Sequence, residues 1–361
     1  MFIFLHKIDR IKLALYFTYR PNLHKLIKGM HLMKFIENLS TDPHYNLALE
    51  EYAFRNLKGE YILLWRNCPS IIIGKHQNTV EEINMEFVKQ NDINVVRRVT
   101  GGGAVYHDLG NLNFSFITKI KEHNVKIDFK TYNVPIIKAL ENLGIKCELS
   151  GRNDLVIDGK KFSGIAQSVS RERILNHGTL LFDSKLDTLS KGLNVKRDKI
   201  ESKGIKSVSS RVTNIKPHVK YDVDVLKFKE LLLKNIFAYL NEPIETYELT
   251  EDDKKAIQKM VDGKYGTWEW NFGNSPKFNY KGYNRFKGGC VDVRLDVKNG
   301  LIENCKIYGD FFGKCDIELL EEKLKSIKYD KEEVKKALQD TDVNDYLGNV
   351  TKEEFLCCLF S

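Results

Sequence analysis

Hydrophobic and polar positions divide the chain into alternating strands and helices. At Met33, MKFI opens with strand-like alternation. After Asp42-Pro43 the apolar spacing turns helical through Leu57, with Leu47, Tyr52 and Ala53 among its apolar positions. Proline suits a first helical turn, where the amide it lacks would have no intrahelical partner. YILLWRN (61–67) and SIIIGK (70–75) predict strands and Met85 to Gln90 a helix, while INVVRRVT (93–100) is a strand that runs straight into Gly101, Gly102 and Gly103. Past the glycines, LNFSFITKI alternates as another strand, and Tyr132 to Leu143 returns to helical spacing.

DLVIDGKKFSGIAQ places Asp158-Gly159 between two strand-like runs, the signature of a two-residue hairpin turn. Side chains alternate along a strand, so only one of Lys160 and Lys161 can face a given side. ILNHGTLLFD is a further strand, and Val223 to Leu240 is a long amphipathic helix that closes the first unit. Asn241 to Tyr247, with Pro243, is the expected boundary. Beyond it, VDVRLDVKNGLIENCKIYGDFF forms a second hairpin about Asn299-Gly300, with Val291, Val293, Leu295 and Val297 on one face, followed by helical patterns. The pattern predicts a basic extension over 1–32, a first domain over 33–245 and a small α+β domain over 246–361. No acid, base and nucleophile cluster assembles in the last of these.

At 361 residues, 42% hydrophobic and 11% aromatic, the chain can bury a core and divide into two domains. No apolar run reaches the roughly 18 residues that a membrane-spanning helix needs. The most apolar stretch, near the start, is interrupted by Lys7, Asp9, Arg10 and Lys12. The net charge of +8 matters only by its location: Lys7, Arg10, Lys12, Arg20, Lys25, Lys28 and Lys34 against Asp9 put +6 of it before residue 35. The body lacks the clustered basic face that phosphate-backbone binding requires, which argues against a nucleic-acid partner. The leader has no serine and no A-x-A cleavage pattern, and it reads as a dispensable extension with Met33 as an alternative start. A cytoplasmic protein is expected, or a mitochondrial one should residues 1–32 act as a transit peptide. The seven cysteines, at 68, 147, 290, 305, 315, 357 and 358, form no CxxC pair and no zinc spacing, which suits a reducing compartment. The adjacent Cys357 and Cys358 read as small buried apolar residues.

The chemistry belongs to the first domain. A P-loop is excluded, because its nearest approach, Gly309 to Lys314, has three residues between its glycines and Cys315 after the lysine. The dinucleotide fingerprint fails as well, since Tyr106 stands where its third glycine would be. RRVTGGGAVYHDLGN remains. Consecutive glycines let the backbone approach a ligand and aim N–H groups at an anion, and strand alternation turns one of Arg97 and Arg98 toward the site and the other toward the opposite surface. Taken alone, a glycine triplet is as readily a flexible loop; the flanking arginine and the His107-Asp108 pair favour a site. In GRNDLVIDGKKFSGIAQ, the hairpin brings Arg152, Asn153 and Asp154 near Lys160 and Lys161, with oxygen ligands for Mg²⁺ and a point charge for phosphate or carboxylate. On residue types alone, a turn aspartate and two solvated lysines is the simpler reading.

RRVTGGGAVYHDLGN, GRNDLVIDGKKFSG and NHGTLLFD, in this order and with these separations, resemble the three signature blocks of the lipoate-protein ligase A family, and LWRNCPSIIIGKHQN and KGIKSVSSRVTN match it as well. The resemblance runs from about Met33 to Ser361. It implies an α+β fold: a catalytic domain of biotin/lipoyl-ligase type, a mixed sheet flanked by helices, with a small accessory domain. It also implies that ATP activates lipoate (or octanoate) as an adenylate, and that the acyl group passes to a lysine of acceptor lipoyl domains, in E2 subunits of 2-oxoacid dehydrogenases and the H protein of glycine cleavage. Carried over by residue, Arg98, Gly101, Gly102, Gly103, Ala104, Val105, Tyr106, Asn153 and Lys161 would bind ATP and the adenylate. Lys161, Gly102, His107 and His177 would bind lipoate, Lys161 would be catalytic, and Asp154 would hold Mg²⁺. Thr100 departs from a common serine but keeps the hydroxyl.

Two rivals share the superfamily or the pocket. An acyl-carrier transferase needs a cysteine thioester; Ile174 stands where one branch carries that cysteine, which leaves Cys147 as the candidate for another. A binding protein without turnover would not need Lys161 and Asp154. A biotin ligase lacks support, because its GRGRxG-type loop is absent. Since the recognisable pattern starts at Met33, a chain beginning there is expected to keep full ligase activity in vitro. An inactive or insoluble truncation would show that residues 1–32 belong to the fold.

Overall fold

The computed structural model describes residues 33–120, 129–151, 153–170, 172–193, 211–273, 278–298 and 300–360. The basic leader, Arg152 and most of KGIKSVSSRVTN lie outside these. Among the described residues there are fourteen strands: β1 (Met33–Ile36), β2 (Glu60–Trp65), β3 (Ser70–Ile73), β4 (Asn94–Arg97), β5 (Val105–His107), β6 (Asn111–Lys119) and β7 (Glu148–Ser150) come first. They continue with β8 (Asp154–Ile157), β9 (Lys160–Ser170), β10 (Arg173–Leu181), β11 (Glu245–Tyr247), β12 (Tyr280–Phe286), β13 (Gly289–Lys298) and β14 (Leu301–Gly309). An eight-stranded mixed sheet has the order β11-β1-β2-β6-β10-β9-β8-β7, parallel at its β11-β1-β2 end and antiparallel beyond. A small sheet, β4-β3-β5, stands apart from it and carries the glycine loop between β4 and β5.

The large sheet is covered on both faces, so β2 is apolar throughout rather than alternating. Its Ile62 and Leu64 join the core formed with helices Val134–Asn142 and Val225–Leu240. Tyr61, Leu63 and Trp65 face the other core, under helix α1 (Pro43–Arg55). Asp42 caps α1 by accepting the His44 amide at 2.9 Å. The helix buries Leu47 and Phe54, and with them, on the same stripe, Glu50 and Glu51. At the β8–β9 turn, Asp158 (φ 49°) and Gly159 (φ 74°) both adopt the left-handed conformation that an Asp-Gly hairpin requires.

The boundary expected after residue 245 cuts through β11. Pro243 looks like a linker signal, but the segment beyond it returns to the sheet and pairs Glu245 to Tyr247 with Lys34 to Ile36. The following helix, Glu251–Met260, packs on α1, where the Tyr52 hydroxyl donates to Asp253 Oδ1 at 2.6 Å and the Tyr265 hydroxyl to Glu51 Oε2 at 2.8 Å. A separate core begins only with Tyr280, where the antiparallel sheet β12-β13-β14 buries Val291, Val293 and Leu295 against the C-terminal helices. The β12 strand is absent from the sequence reading. Cys358 is buried in this core but its neighbour Cys357 is exposed, because successive residues of a helix point in different directions. Among the described residues no helix is long and apolar enough to cross a membrane.

Arg97 does point away from the glycine loop, yet it meets no solvent. Its guanidinium donates to the carbonyls of Gly74 (2.9 Å), Gln77 (2.6 Å) and Trp270 (3.0 Å) and to the Thr79 hydroxyl (2.6 Å). Helix Trp268–Asn271 covers it. Arg97→Ala is therefore expected to lower stability by about 3 kcal/mol or more, because several buried carbonyls lose their donor. Urea unfolding measures this, and an unchanged midpoint would show that the segment is held by other contacts.

Candidate active site

A cleft of about 400 Å³ opens where the two sheets of the first domain meet the C-terminal sheet. Leu47, Trp65, Ile72 and Val105 give it an apolar floor; Arg98, Gly102, Gly103, Ala104, His107, Asn153, Asp154, Lys161 and His177 also line it. Alternation along β5 turns Val105 and His107 into the cleft and Tyr106 away from it, among Ile71, Ile73 and Val88. The Tyr106 side chain is therefore out of reach of a ligand in the cleft. Gly101 is also off the cleft wall: a Cβ there would sit 2.2 Å from the Phe311 carbonyl oxygen, so its glycine serves packing against the C-terminal domain. Gly102 has φ +91°, and a Cβ on it would lie 2.9 Å from Arg98 Nη2. Among the described residues, the amides of Gly102, Gly103 and Ala104 donate to no protein group. Such a run of unengaged N–H groups is suited to an anion.

Arg98 reaches under this loop. Its Nη2 donates to the carbonyls of Gly101 (2.6 Å) and Gly103 (2.9 Å), its Nη1 to Ile72 (3.1 Å) and its Nε to the Thr100 hydroxyl (2.9 Å). Burial pulls the guanidinium down to about 10, still charged at neutral pH. Arg98 thus holds the loop whose amides suit an anion, and it borders the cleft itself.

The hairpin delivers Lys161 as alternation requires: its Nζ lies 2.7 Å from Asp154 Oδ1 inside the cleft, while Lys160 is exposed. Asn153 is fixed by donating to the Ile165 carbonyl at 2.6 Å. The Lys161 carbonyl accepts the Thr213 amide at 2.9 Å, which ties the RVTN segment to the lysine. Among the described residues no group of three or more His, Cys, Asp or Glu side chains gathers as a metal site.

The two histidines differ. Both nitrogens of His177 are engaged within the protein, Nδ1 with Glu50 at 2.8 Å and Nε2 with Thr100 Oγ1 at 2.8 Å. The ring can border a ligand but has no nitrogen to spare for one. His107 accepts from Asn67 Nδ2 at its Nδ1 (3.0 Å), so the proton sits on Nε2, which has no partner among the described residues. Burial first, then the charge of Arg98, push His107 down to about 3.

Sequence reasoning missed Glu50, Trp65, Asn113, Arg285 and Asp310. Glu50 had a signal, since it interrupts the apolar stripe that Leu47 and Phe54 define on α1. Arg285 and Asp310 come from β12 and the turn after β14, 3.8 Å apart, in a domain that seemed to hold no chemistry. Nothing in their spacing marks them. Cys147 does not border the cleft; it packs against the helical core, and burial pushes its thiol up to about 12.

The model of the lipoyl protein ligase A/B catalytic domain matches residues 42–237, and that of the bacterial lipoate protein ligase C-terminus matches residues 275–359. The chain belongs to the lipoyl protein ligase A/B family. It is similar to a lipoate-protein ligase of Bacillus subtilis, with 48% identity over 91% of this chain and 100% of that protein. It also resembles the solved P. falciparum LipL1 in complex with lipoate (27% identity, TM-score 0.70, 90% of this chain and 96% of that one). A lipoate-protein ligase A bound with ATP gives 28% identity and a TM-score of 0.57 over 68% of this chain and 97% of that one.

In this family member the buried His107 has a consequence for acid stability. Its folded pKa, about 3, lies below the ordinary value of 6.5, so the unfolded chain binds the extra proton and stability falls as pH drops from 6.5 toward 3. The slope contributed approaches about 1.4 kcal/mol per pH unit. His107→Gln should lose less stability than the parent between pH 7 and pH 4.5 in urea unfolding. Equal losses would mean that His107 protonates freely in the fold.

Proposed function

We propose that this ligase activates lipoate, or octanoate, with ATP as an acyl-adenylate and transfers the acyl group to a lysine of acceptor lipoyl domains in E2 subunits and the H protein. The observation that carries the reading is the meeting, in one cleft, of the unengaged glycine-loop amides, the Lys161 ammonium and an apolar floor. The amides suit nucleotide phosphate, the floor suits the acyl chain, and the Lys161 ammonium in the same cleft suits a carboxylate and an α-phosphate brought together. The carboxylate oxygen attacks the α-phosphorus, and the bond to the β,γ-pyrophosphate breaks as the mixed anhydride forms. Two anions approach one another in this step, and a fixed cation lowers the barrier by neutralising the developing charge. Arg285 adds a second cation from the C-terminal sheet.

In the second step the acceptor amine attacks the acyl carbon, AMP leaves with the electrons of the anhydride bond, and the amine loses a proton. At an ordinary pKa of 10.4 only roughly one amine in 2,500 is neutral at pH 7. The nearby Lys161 charge disfavours a second cation and raises that fraction. Mg²⁺ characteristically takes one or two carboxylates and completes its shell with phosphates and water, so the paucity of protein ligands fits it. Asp154 and the Asn153 amide oxygen would hold it. When bound, it neutralises phosphate charge.

Incubation with ATP, Mg²⁺, lipoate and an apo lipoyl domain, read by intact mass, should add one lipoyl group in an ATP-dependent way; an unmodified domain would refute the reading. Lys161→Ala should slow adenylation by a few hundredfold, since one preorganised charge contact contributes about 3 to 4 kcal/mol to the barrier. Transfer from supplied lipoyl-adenylate should slow as well. Lys160→Ala, on the exposed side of the strand, is the control. Near parental rates in Lys161→Ala, or a larger defect in Lys160→Ala, would overturn the assignment.

A further inference from the structure

Beneath the glycine loop the buried polar groups form one connected chain, and both of its ends are groups that can only donate. At one end the Trp65 indole Nε1–H donates to Ser115 Oγ (3.0 Å), so the Ser115 hydrogen goes to Glu50 Oε1 (2.5 Å). At the other end Arg98 Nε–H donates to Thr100 Oγ1 (2.9 Å), which leaves the Thr100 hydrogen available to His177 Nε2 (2.8 Å). His177 is thereby the Nδ1–H tautomer, and that hydrogen meets Glu50 at 2.8 Å. In this assignment every donor and acceptor of the row is satisfied. Glu50 is 0% exposed, and an ionised carboxylate so placed requires the donors that Ser115 and His177 supply.

We propose that Glu50 and His177 are positioning residues for nucleotide activation, acting through Thr100 and Arg98 on the glycine loop. The direction of the chain gives the reason. With Nε2 of His177 fixed as an acceptor, the Thr100 oxygen is left to receive Arg98 Nε, and this sets the plane of the guanidinium. The outer Nη2 of that plane collects the carbonyls of Gly101 and Gly103. The loop carbonyls are then occupied beneath, and the amides of Gly102, Gly103 and Ala104 remain for phosphate. The opposite tautomer would place two donors on Thr100 and leave Glu50 facing a bare nitrogen.

The inference rests on the ATP-dependent reading above, and its test has an arm independent of turnover. Long-range ¹⁵N–¹H correlation on the full chain should show His177 protonated at Nδ1 with Nε2 bare, and Glu50→Gln should weaken that preference. In pyrophosphate-release kinetics, Thr100→Val should raise the KM for ATP about tenfold, the scale of one charge-assisted hydrogen bond, while the KM for lipoate changes much less. Glu50→Gln should shift the KM for ATP in the same direction. Thr100→Ser, which restores the hydroxyl, should recover the parental KM, whereas a purely space-filling role for Thr100 would make valine the better replacement. An Nε2–H tautomer in the parent, a parental KM for ATP in Thr100→Val, or a serine variant as impaired as valine would each overturn the proposal. Absence of any ATP-dependent turnover would defeat the functional reading instead, and the tautomer measurement would still decide the hydrogen-bond order.

Discussion

Glycine has no side chain with which to hold a loop in shape, so three in succession depend on what surrounds them. Here the surroundings come from two directions. Arg98 grips the carbonyls from below, and the Gly-Asp-Phe-Phe turn after β14 presses from above, with Phe311 over Gly101 and Phe312 beside Gly102. Phe311 also stacks on His76 at 4.8 Å, and the Gly309 amide donates to the His76 carbonyl at 2.7 Å. The geometry of the anion-facing amides is therefore a property of the whole assembly of sheets and not of the glycine motif alone.

This arrangement explains which features could be read from the sequence. Local rules gave the helix after Asp42-Pro43, the Asp158-Gly159 hairpin and the opposite facing of Lys160 and Lys161, because each is decided within a few residues. They could not give Arg97 its cover, which comes from Trp270, nor show that the strand after Pro243 returns to pair with β1. The alternation rule would have excluded Tyr106 from the cleft had the register of β5 been known; Val105 and His107 occupy that face. The family resemblance supplied residue roles without geometry. The resemblance names Arg98 for the nucleotide and His177 for lipoate; both border the cleft, and the geometry adds that Arg98 also holds the loop and that His177 is held by Glu50 and Thr100.

Glu50 illustrates a further limit. A charged residue on an apolar helical stripe announces that something unusual is buried, but its partners are Ser115 on β6 and His177 on β10, far away in sequence. Only a sheet that places β6 beside β10 brings them together. The C-terminal domain shows the same principle across an interface, where Arg294 pairs with Glu81 at 2.5 Å and Asp316 with Lys75 at 2.8 Å. Arg285 and Asp310 reach the cleft because those contacts seat their sheet there.

The position of β11 bears on how the chain is made. β1 lies between β2 and β11, yet of the described strands it is made first and its outer neighbour arrives only after all of β2 to β10. Throughout that interval no other described strand pairs with that edge of β1, and an unpaired edge is a template for pairing with another nascent chain. Lys34, in the middle of the strand, gives that edge a charge of the kind that discourages such pairing. Synthesis order thus places a constraint on β1 that the finished fold no longer displays.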